Sequence, residues 1–211
     1  RPPSRATSTI PTDDRRPAMT ERTRILLVRH GESEWNAAGR WQGQADPPLS
    51  VEGRAQAARA ASVARGLVDR VVVSDLVRAH DTGRIIAAAL ELADVGVEPD
   101  LRERDIGAWS GLTMAEVEAG WPGYVGSGRR PEGAELDEPM WTRVSRGLLR
   151  IASGGGTPLV VSHGGVIALV ERTLGVPFGK VHNLEARWLV VEVGGEKPAF
   201  ALGDRLRLDT Q

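Results

Sequence analysis

The sequence predicts an α/β fold: a three-layer sandwich whose mostly parallel central sheet is flanked by helices and ends in an antiparallel edge near the C-terminus. Three observations carry this expectation. From Arg24 onward, short β-branched runs alternate with longer amphipathic ones, the pattern of parallel strands joined by crossover helices. The first run, Arg24-Ile-Leu-Leu-Val28, is apolar on both faces, as a strand covered by helices on both sides must be. The last two runs, Glu185 to Val193 and Ala199 to Leu208, alternate enough to form paired antiparallel edge strands.

Between these ends each element has a local reason. Ser50 stands where an N-cap belongs, before Val51 to Leu67, an Ala-rich, Arg-bearing stretch of high helix propensity that Gly66 helps to close. Val71 to Val73 is a second strand, followed by a helix from Ala79 to Leu92. Val95 to Glu98 is a short strand ahead of Pro99, and Thr113 caps a brief helix to Ala119. Pro122 to Pro139, rich in Gly, Pro and Arg, is expected to be a mobile surface excursion rather than a linker. Pro139 to Ala152 is helical, Pro158 to Ser162 a strand, and Gly164 to Leu174 a helix. No internal repeat is visible.

Composition bounds what such a fold can do. A chain of 211 residues suits one domain, set at 23–211, behind a disordered leader at 1–22. Residues 1–20 carry four Pro and the pair Arg15-Arg16 without the apolar stretch of a secretory signal, and Met19 is a candidate natural start. Basic residues number 27 and acidic residues 28, a net charge of −1 that argues against a general nucleic-acid binder. No apolar run approaches the roughly 20 residues of a membrane helix. With Cys at 0, thiol nucleophiles, Cys-based zinc sites and disulfide scaffolds are excluded. The expected compartment is the cytoplasm and the expected partner a small substrate, with no nucleic acid and no membrane; a homodimer is left open.

Ligands of open α/β sheets sit beyond the carboxyl ends of the strands. There the sequence places Arg29-His30-Gly31-Glu32-Ser33 after the first strand, Arg78 after the second, Glu103 after the Val95 strand and His163-Gly164-Gly165 after the Pro158 strand. Two guanidiniums and a helix N-terminus describe a seat for a dianion, most simply a phosphoryl group. Nearby positive charge disfavours imidazolium, so His30 is expected neutral near pH 7 and able to attack phosphorus. Glu103, partly desolvated and raised in pKa, would protonate the departing alkoxide and later activate water. Arg29, Arg78 and His163 would hold the phosphoryl oxygens. This scheme calls for neither metal nor cofactor.

Four separated blocks carry a family resemblance. Leu27-Val28-Arg29-His30-Gly31-Glu32-Ser33-Glu34-Trp35-Asn36 resembles the signature of the histidine phosphatase superfamily, the phosphoglycerate mutase-like proteins, on its phosphatase branch. Ser74 to Ala79, Leu101 to Gly111 and Val161 to Gly165 resemble its later blocks in the same order. The resemblance implies that His30 is the phosphorylated nucleophile and Glu103 the proton donor. It further implies that Arg29, Arg78 and His163 bind phosphate, with Asn36, Gln42, Gly43 and Gly164 lining the pocket. An Arg-His-Gly tripeptide alone would be weak, since a lone His after a strand is more often structural; agreement in four blocks reverses that. The family's Gly-Glu-Ser segment is here Gly133-Ala134-Glu135-Leu136, a departure in the region of substrate contacts.

Glu103 has Asp105 and Glu98 as rivals. His80 and His182 stand outside any motif, and Trp35, Trp109 and Trp141 suit a core as readily as a pocket rim. Arg129-Arg130 read as solvated loop charge within reach of a second anionic group. Three functions compete: a metal-independent phosphomonoester hydrolase, a bisphosphoglycerate-dependent phosphoglycerate mutase, and a non-catalytic phospholigand-binding module. Keeping both His30 and Glu103 disfavours the last. The mutases, by family resemblance, carry a Tyr and a Lys that help hold a second phosphate, at positions matching Ile106 and Met114 here, and neither of these can bind an anion. The mutases also follow the second His with Gly-Asn rather than Gly164-Gly165 and have a longer insertion after the acid. The expected activity is hydrolysis.

Overall fold

The computed structural model describes residues 21–92, 94–177 and 179–209. Six strands form one sheet: β1 (Glu21–Arg29), β2 (Arg70–Val73), β3 (Val95–Val97), β4 (Pro158–Ser162), β5 (Glu185–Val193) and β6 (Ala199–Arg207). Their spatial order is β3-β2-β4-β1-β5-β6. The pairs β1/β4, β4/β2 and β2/β3 are parallel, with Val28 opposite Val161 and Val73 opposite Val97, whereas β5 runs antiparallel to both β1 and β6. This is the expected three-layer α/β architecture with an antiparallel edge. Among the described residues there are six helices, α1 (Glu34–Ala37), α2 (Val51–Ala64), α3 (Val77–Leu90), α4 (Met114–Gly120), α5 (Asp137–Ser153) and α6 (Gly164–Thr173), and single 3-10 turns occur at Pro99–Leu101 and Gly107–Trp109.

The two-faced apolar character of β1 splits between two cores. Ile25 and Leu27 point into a cluster with Val144 and Leu148 of α5 and Ile167 of α6, while Leu26 and Val28 meet Ala57 and Ala61 of α2 and Ile86 of α3. The Ala face of α2 lets its N-terminus come close to the chain just after β1. A Cβ on Gly53 would lie 1.9 Å from the Glu32 carbonyl oxygen, so only glycine permits this approach. Ser50 caps α2 by accepting from the Gly53 N–H, and its own Oγ donates to Glu32 at 2.7 Å, tying the helix start to the loop that follows His30.

Several boundaries differ from the sequence reading. β1 begins at Glu21, inside the expected 1–22 leader; the rest of that leader, residues 1–20, lies outside the described residues. α3 begins at Val77 rather than Ala79, because the Asp46 carboxylate reaches across to accept from the Val77 N–H at 2.7 Å. α2 stops at Ala64 instead of Leu67, since Gly66 takes a φ of +75°. α5 starts at Asp137, so Pro139 falls in the first helical turn, where its missing N–H costs nothing. The one-turn α1 was not expected, although Ser33 and Asn36 form a reciprocal capping box at its start.

Candidate active site

β1 and β4 run side by side and deliver their C-terminal residues to one place. The His30 N–H donates to the Ser162 carbonyl at 3.0 Å, which locks His30 against the end of β4. Its ring makes two bonds of opposite kind: Nδ1 lies 2.6 Å from the Gly31 carbonyl, and the Arg78 Nε–H reaches Nε2 at 3.2 Å. A carbonyl only accepts and a guanidinium only donates, so the proton belongs on Nδ1 and the lone pair on Nε2. Burial first, then the charges of Arg78 and Arg29, hold the imidazole well below its usual pKa. The sequence expectation of neutrality is met, with desolvation as the larger cause.

Arg78 sits in the first turn of α3 and is 1% exposed. Its two terminal nitrogens donate to the Ala45 and Gly43 carbonyls at 2.7 and 2.8 Å. Burial, partly opposed by Glu103 and Asp46, pulls its pKa down to about 10, so it is a full cation at neutral pH. Arg29 donates to the Val181 carbonyl at 2.7 Å, and its chain lies along Gly164. Neither arginine forms a salt bridge among the described residues, so both keep donors for an anion.

His163 follows β4 and caps α6. It is fully buried with its ring 5.2 Å from that of His30, edge to face. Its Nε2 meets the Ser74 hydroxyl at 2.9 Å, while its Nδ1 is buried without a partner. Ser74 Oγ also accepts from the Leu76 N–H at 3.4 Å, so this hydroxyl ties His163 to the end of β2. Burial and the positive field of Arg78 push this imidazole well below its usual pKa too.

Glu103 reaches the same cleft from the chain after the Pro99–Leu101 turn. One carboxylate oxygen accepts from the Arg104 N–H at 2.7 Å and the other from the Gly165 N–H at 3.0 Å, in the first turn of α6. A Cβ on Gly165 would sit 2.1 Å from the carboxylate, so the second glycine after His163 makes room for the acid. Arg143 of α5 grips the backbone here. It donates to the Asp100, Arg102 and Glu103 carbonyls at 2.8, 2.7 and 3.1 Å and forms a bidentate pair with Glu135. Of the rival carboxylates, Glu98 is occupied by Arg150, and Asp105 accepts from the Gly107 N–H on an exposed turn.

A cavity of about 330 Å³ brings these groups together: Arg29, His30, Arg78 and Glu103 line it. So do Asn36, Gln42, Gly43 and Gly164, while His163 lies behind the His30 ring. Asn36 Oδ1 accepts from the Ser33 N–H and Gln42 Oε1 from the Ser33 hydroxyl, so one serine orients both amides. Asn183 and Arg143 carry no role in the sequence analysis, and Ser74 appears there only as the first residue of a family-like block. Ser74 follows β2 directly and the strand-end rule could have found it, whereas Asn183, which donates to the His30 carbonyl at 2.9 Å, carries no local signal. Arg40, Trp41 and Arg104, which were likewise not anticipated, complete the wall together with Ile106, the position that matches the mutases' Tyr.

An open α/β sheet with cationic and imidazole groups gathered beyond its parallel strands defines a phosphate-handling protein. The family model of the histidine phosphatase superfamily (branch 1) matches residues 25–202, and the chain belongs to this enzyme superfamily. It is 35% identical over 201 residues to the "Probable phosphoglycerate mutase GpmB" of Enterobacter sp., covering 82% of this chain and 92% of that one. The mycobacterial glucosyl-3-phosphoglycerate phosphatase, solved with VO3, superposes with a TM-score of 0.73 at 33% identity, over 86% of this chain and 97% of the other. YhfR of Bacillus stearothermophilus shares the fold with a TM-score of 0.76 at 24% identity, over 89% and 100% of the two chains. Among the described residues, no helix is long and apolar enough to cross a membrane.

Proposed function

We propose that this protein is a metal-independent phosphomonoester hydrolase of a small phosphorylated metabolite in the cytoplasm, working through a phosphohistidine. The observation that carries this reading is the His30 ring: Nδ1–H is spent on a carbonyl, Nε2 keeps its lone pair, and Glu103 shares the cavity. His30 Nε2 attacks phosphorus as the ester P–O bond breaks, and Glu103, acting as general acid, gives a proton to the departing alkoxide. Water then attacks the phosphohistidine, Glu103 takes a proton back, and His30 leaves as phosphate forms. Charge on the transferring oxygens is met by Arg29, Arg78, His163 and the α6 N-terminus.

A mutase reading is favoured by the similarity to a probable phosphoglycerate mutase. Hydrolysis is favoured by the cavity wall. Ile106 lines the cavity and Met114 stands exposed at the start of α4, so the two positions that carry Tyr and Lys in the mutases offer no anion ligand here, and any second anionic group would have to rest on arginines instead. The deciding experiment incubates the purified protein with an aryl phosphate under a chelator, and separately with 3-phosphoglycerate plus 2,3-bisphosphoglycerate. Steady phosphate release with little 2-phosphoglycerate is expected. Efficient isomerisation with negligible release puts the mutase first, and no turnover in either assay leaves a binding module.

A further inference from the structure

A second cavity, about 460 Å³, shares the wall formed by Trp41, Arg104 and Ile106 with the first. Its polar lining is almost wholly cationic: Arg104, Arg129 and Arg130 from the segment after the acid, and Arg172 from the last turn of α6. Three of these, Arg104, Arg130 and Arg172, converge on the single carboxylate of Asp137 at 2.8, 2.8 and 2.7 Å. The fourth, Arg129, has no carboxylate partner among the described residues; its guanidinium lies 4.0 Å from the centre of the Tyr124 ring. One carboxylate among four guanidiniums leaves a concentrated excess of positive charge in a half-enclosed space. Two of the four are well covered, the Arg104 side chain at 10% and that of Arg130 at 22% exposed, while Arg172 is 42% exposed and Arg129 lies at the surface. Burial first and the repulsion of Arg130 second pull the Arg104 guanidinium below its usual pKa, as expected of a cation crowded by its own kind.

The rest of the lining is largely aromatic and apolar. Trp109 packs edge-on against Trp41 at 5.2 Å and Tyr124 at 6.4 Å, a cluster that offers an apolar group ring edges and faces to contact. Arg104 borders both cavities, so a molecule whose phosphoryl group lies at His30 would pass it on the way outward.

Building on the phosphatase reading above, we propose that the second cavity selects extended substrates. These are phosphomonoesters with a ring or apolar middle against Trp41 and Trp109 and a second anionic group, carboxylate or phosphate, seated among Arg104, Arg129, Arg130 and Arg172. Arginine suits either group, since its planar fork pairs bidentately with both.

The test compares phenyl phosphate with phenyl phosphates bearing a carboxylate on spacers of increasing length, using wild type, Arg129→Ala/Arg130→Ala and the charge reversal Arg129→Glu. Wild type should prefer at least one charged ester over phenyl phosphate by roughly tenfold in kcat/KM, and the double variant should lose most of that preference. Arg129→Glu should shift it the same way, and added salt should erode it. Calorimetric binding of the matching phosphonates, which are not hydrolysed, reads the same ratio without catalysis. If phenyl phosphate is not turned over but the carboxylated phosphonate binds preferentially through Arg129 and Arg130, the hydrolase reading fails and the second site stands. No preference at any spacer length, or a preference that survives both variants, overturns the proposal.

Discussion

The inner cleft and the outer cavity both collect positive charge, by opposite means. At the inner end Arg78 spends its terminal nitrogens on the carbonyls of Gly43 and Ala45 and is 1% exposed, so its position is fixed by backbone. At the outer end Arg104, Arg130 and Arg172 share one side chain, Asp137; Arg104 is also anchored to the Glu135 carbonyl at 2.7 Å, and Arg129 leans on a tyrosine in an exposed loop. Backbone carbonyls cannot be exchanged by substitution, whereas the outer set changes with any replacement among the four arginines and Asp137. The inner end is therefore built to hold one group in one geometry, and the exposed members of the outer set, Arg129 and Arg172, can be exchanged at less cost to the fold than buried Arg104. Loss of an inner group should be close to all-or-none, and loss of an outer group graded and substrate-dependent.

The sharpest break of this contrast is at His30. His30→Ala should abolish turnover, by at least about a thousandfold, because His163, the other imidazole of the site, lies behind His30 instead of lining the cavity. Acid-labile phosphate trapped on the wild type should disappear with it. Substantial activity in a pure, folded His30→Ala sample would falsify the nucleophile assignment.

A smaller but chemically diagnostic effect is expected at Glu103. Glu103→Gln should slow hydrolysis of alkyl phosphates by about a hundredfold or more while leaving enzyme phosphorylation by activated aryl phosphates much less affected, since a good leaving group needs no proton. Single-turnover rates plotted against leaving-group pKa should steepen in the variant. Equal slopes in variant and wild type would remove Glu103 as the acid.

Arg143→Met should then cost about tenfold in kcat with a lesser change in KM. Arg143 touches no phosphate-binding group, but holds three carbonyls of the segment carrying Glu103. Arg143→Lys should recover little, because one ammonium cannot span three carbonyls and Glu135. A large rise in KM at constant kcat would show that Arg143 acts on binding instead of on placement of the acid.

The same contrast governs what the sequence reveals. His30, Arg78 and His163 follow strands whose β-branched runs are unmistakable, so the strand-end rule finds them from residue order alone. Six strands, their edge and five of the six helices are legible for the same reason: their periodicity is local. Arg104, Arg129, Arg130 and Arg172 come from separate turns and a helix end, and the group that draws three of them together is Asp137, the first residue of α5. Charge convergence of that kind has no periodicity and no fixed spacing. Glu135, which lies where the chain departs from the family's Gly-Glu-Ser segment, points to Arg143 rather than into the cleft, a role no residue pattern announces.

The smallest expected effect is on stability against pH, and it separates the two regions without any substrate. His30 and His163 have pKa values held below the ordinary histidine value by burial and by neighbouring arginines. The unfolded chain therefore binds more protons than the folded one once pH drops below about 6.5. The stabilisation is fully present above that value and is lost as pH falls toward the folded-state pKa values, at up to about 1.4 kcal/mol per histidine per pH unit. The outer cavity adds nothing over this interval: although burial works against ionisation of Asp137, the arginines Arg104, Arg172 and Arg130 keep its carboxyl below the usual range. Asp100, lowered to about 2 mainly by its bond with Arg146, also stays ionised there. Denaturant titrations at pH 7, 6 and 5 should thus show falling stability in wild type, a shallower fall in His30→Ala, and an unaltered slope in Arg129→Ala/Arg130→Ala. A flat wild-type profile would mean that neither imidazole is kept neutral, and with it the lone pair assigned to His30 Nε2 would be lost.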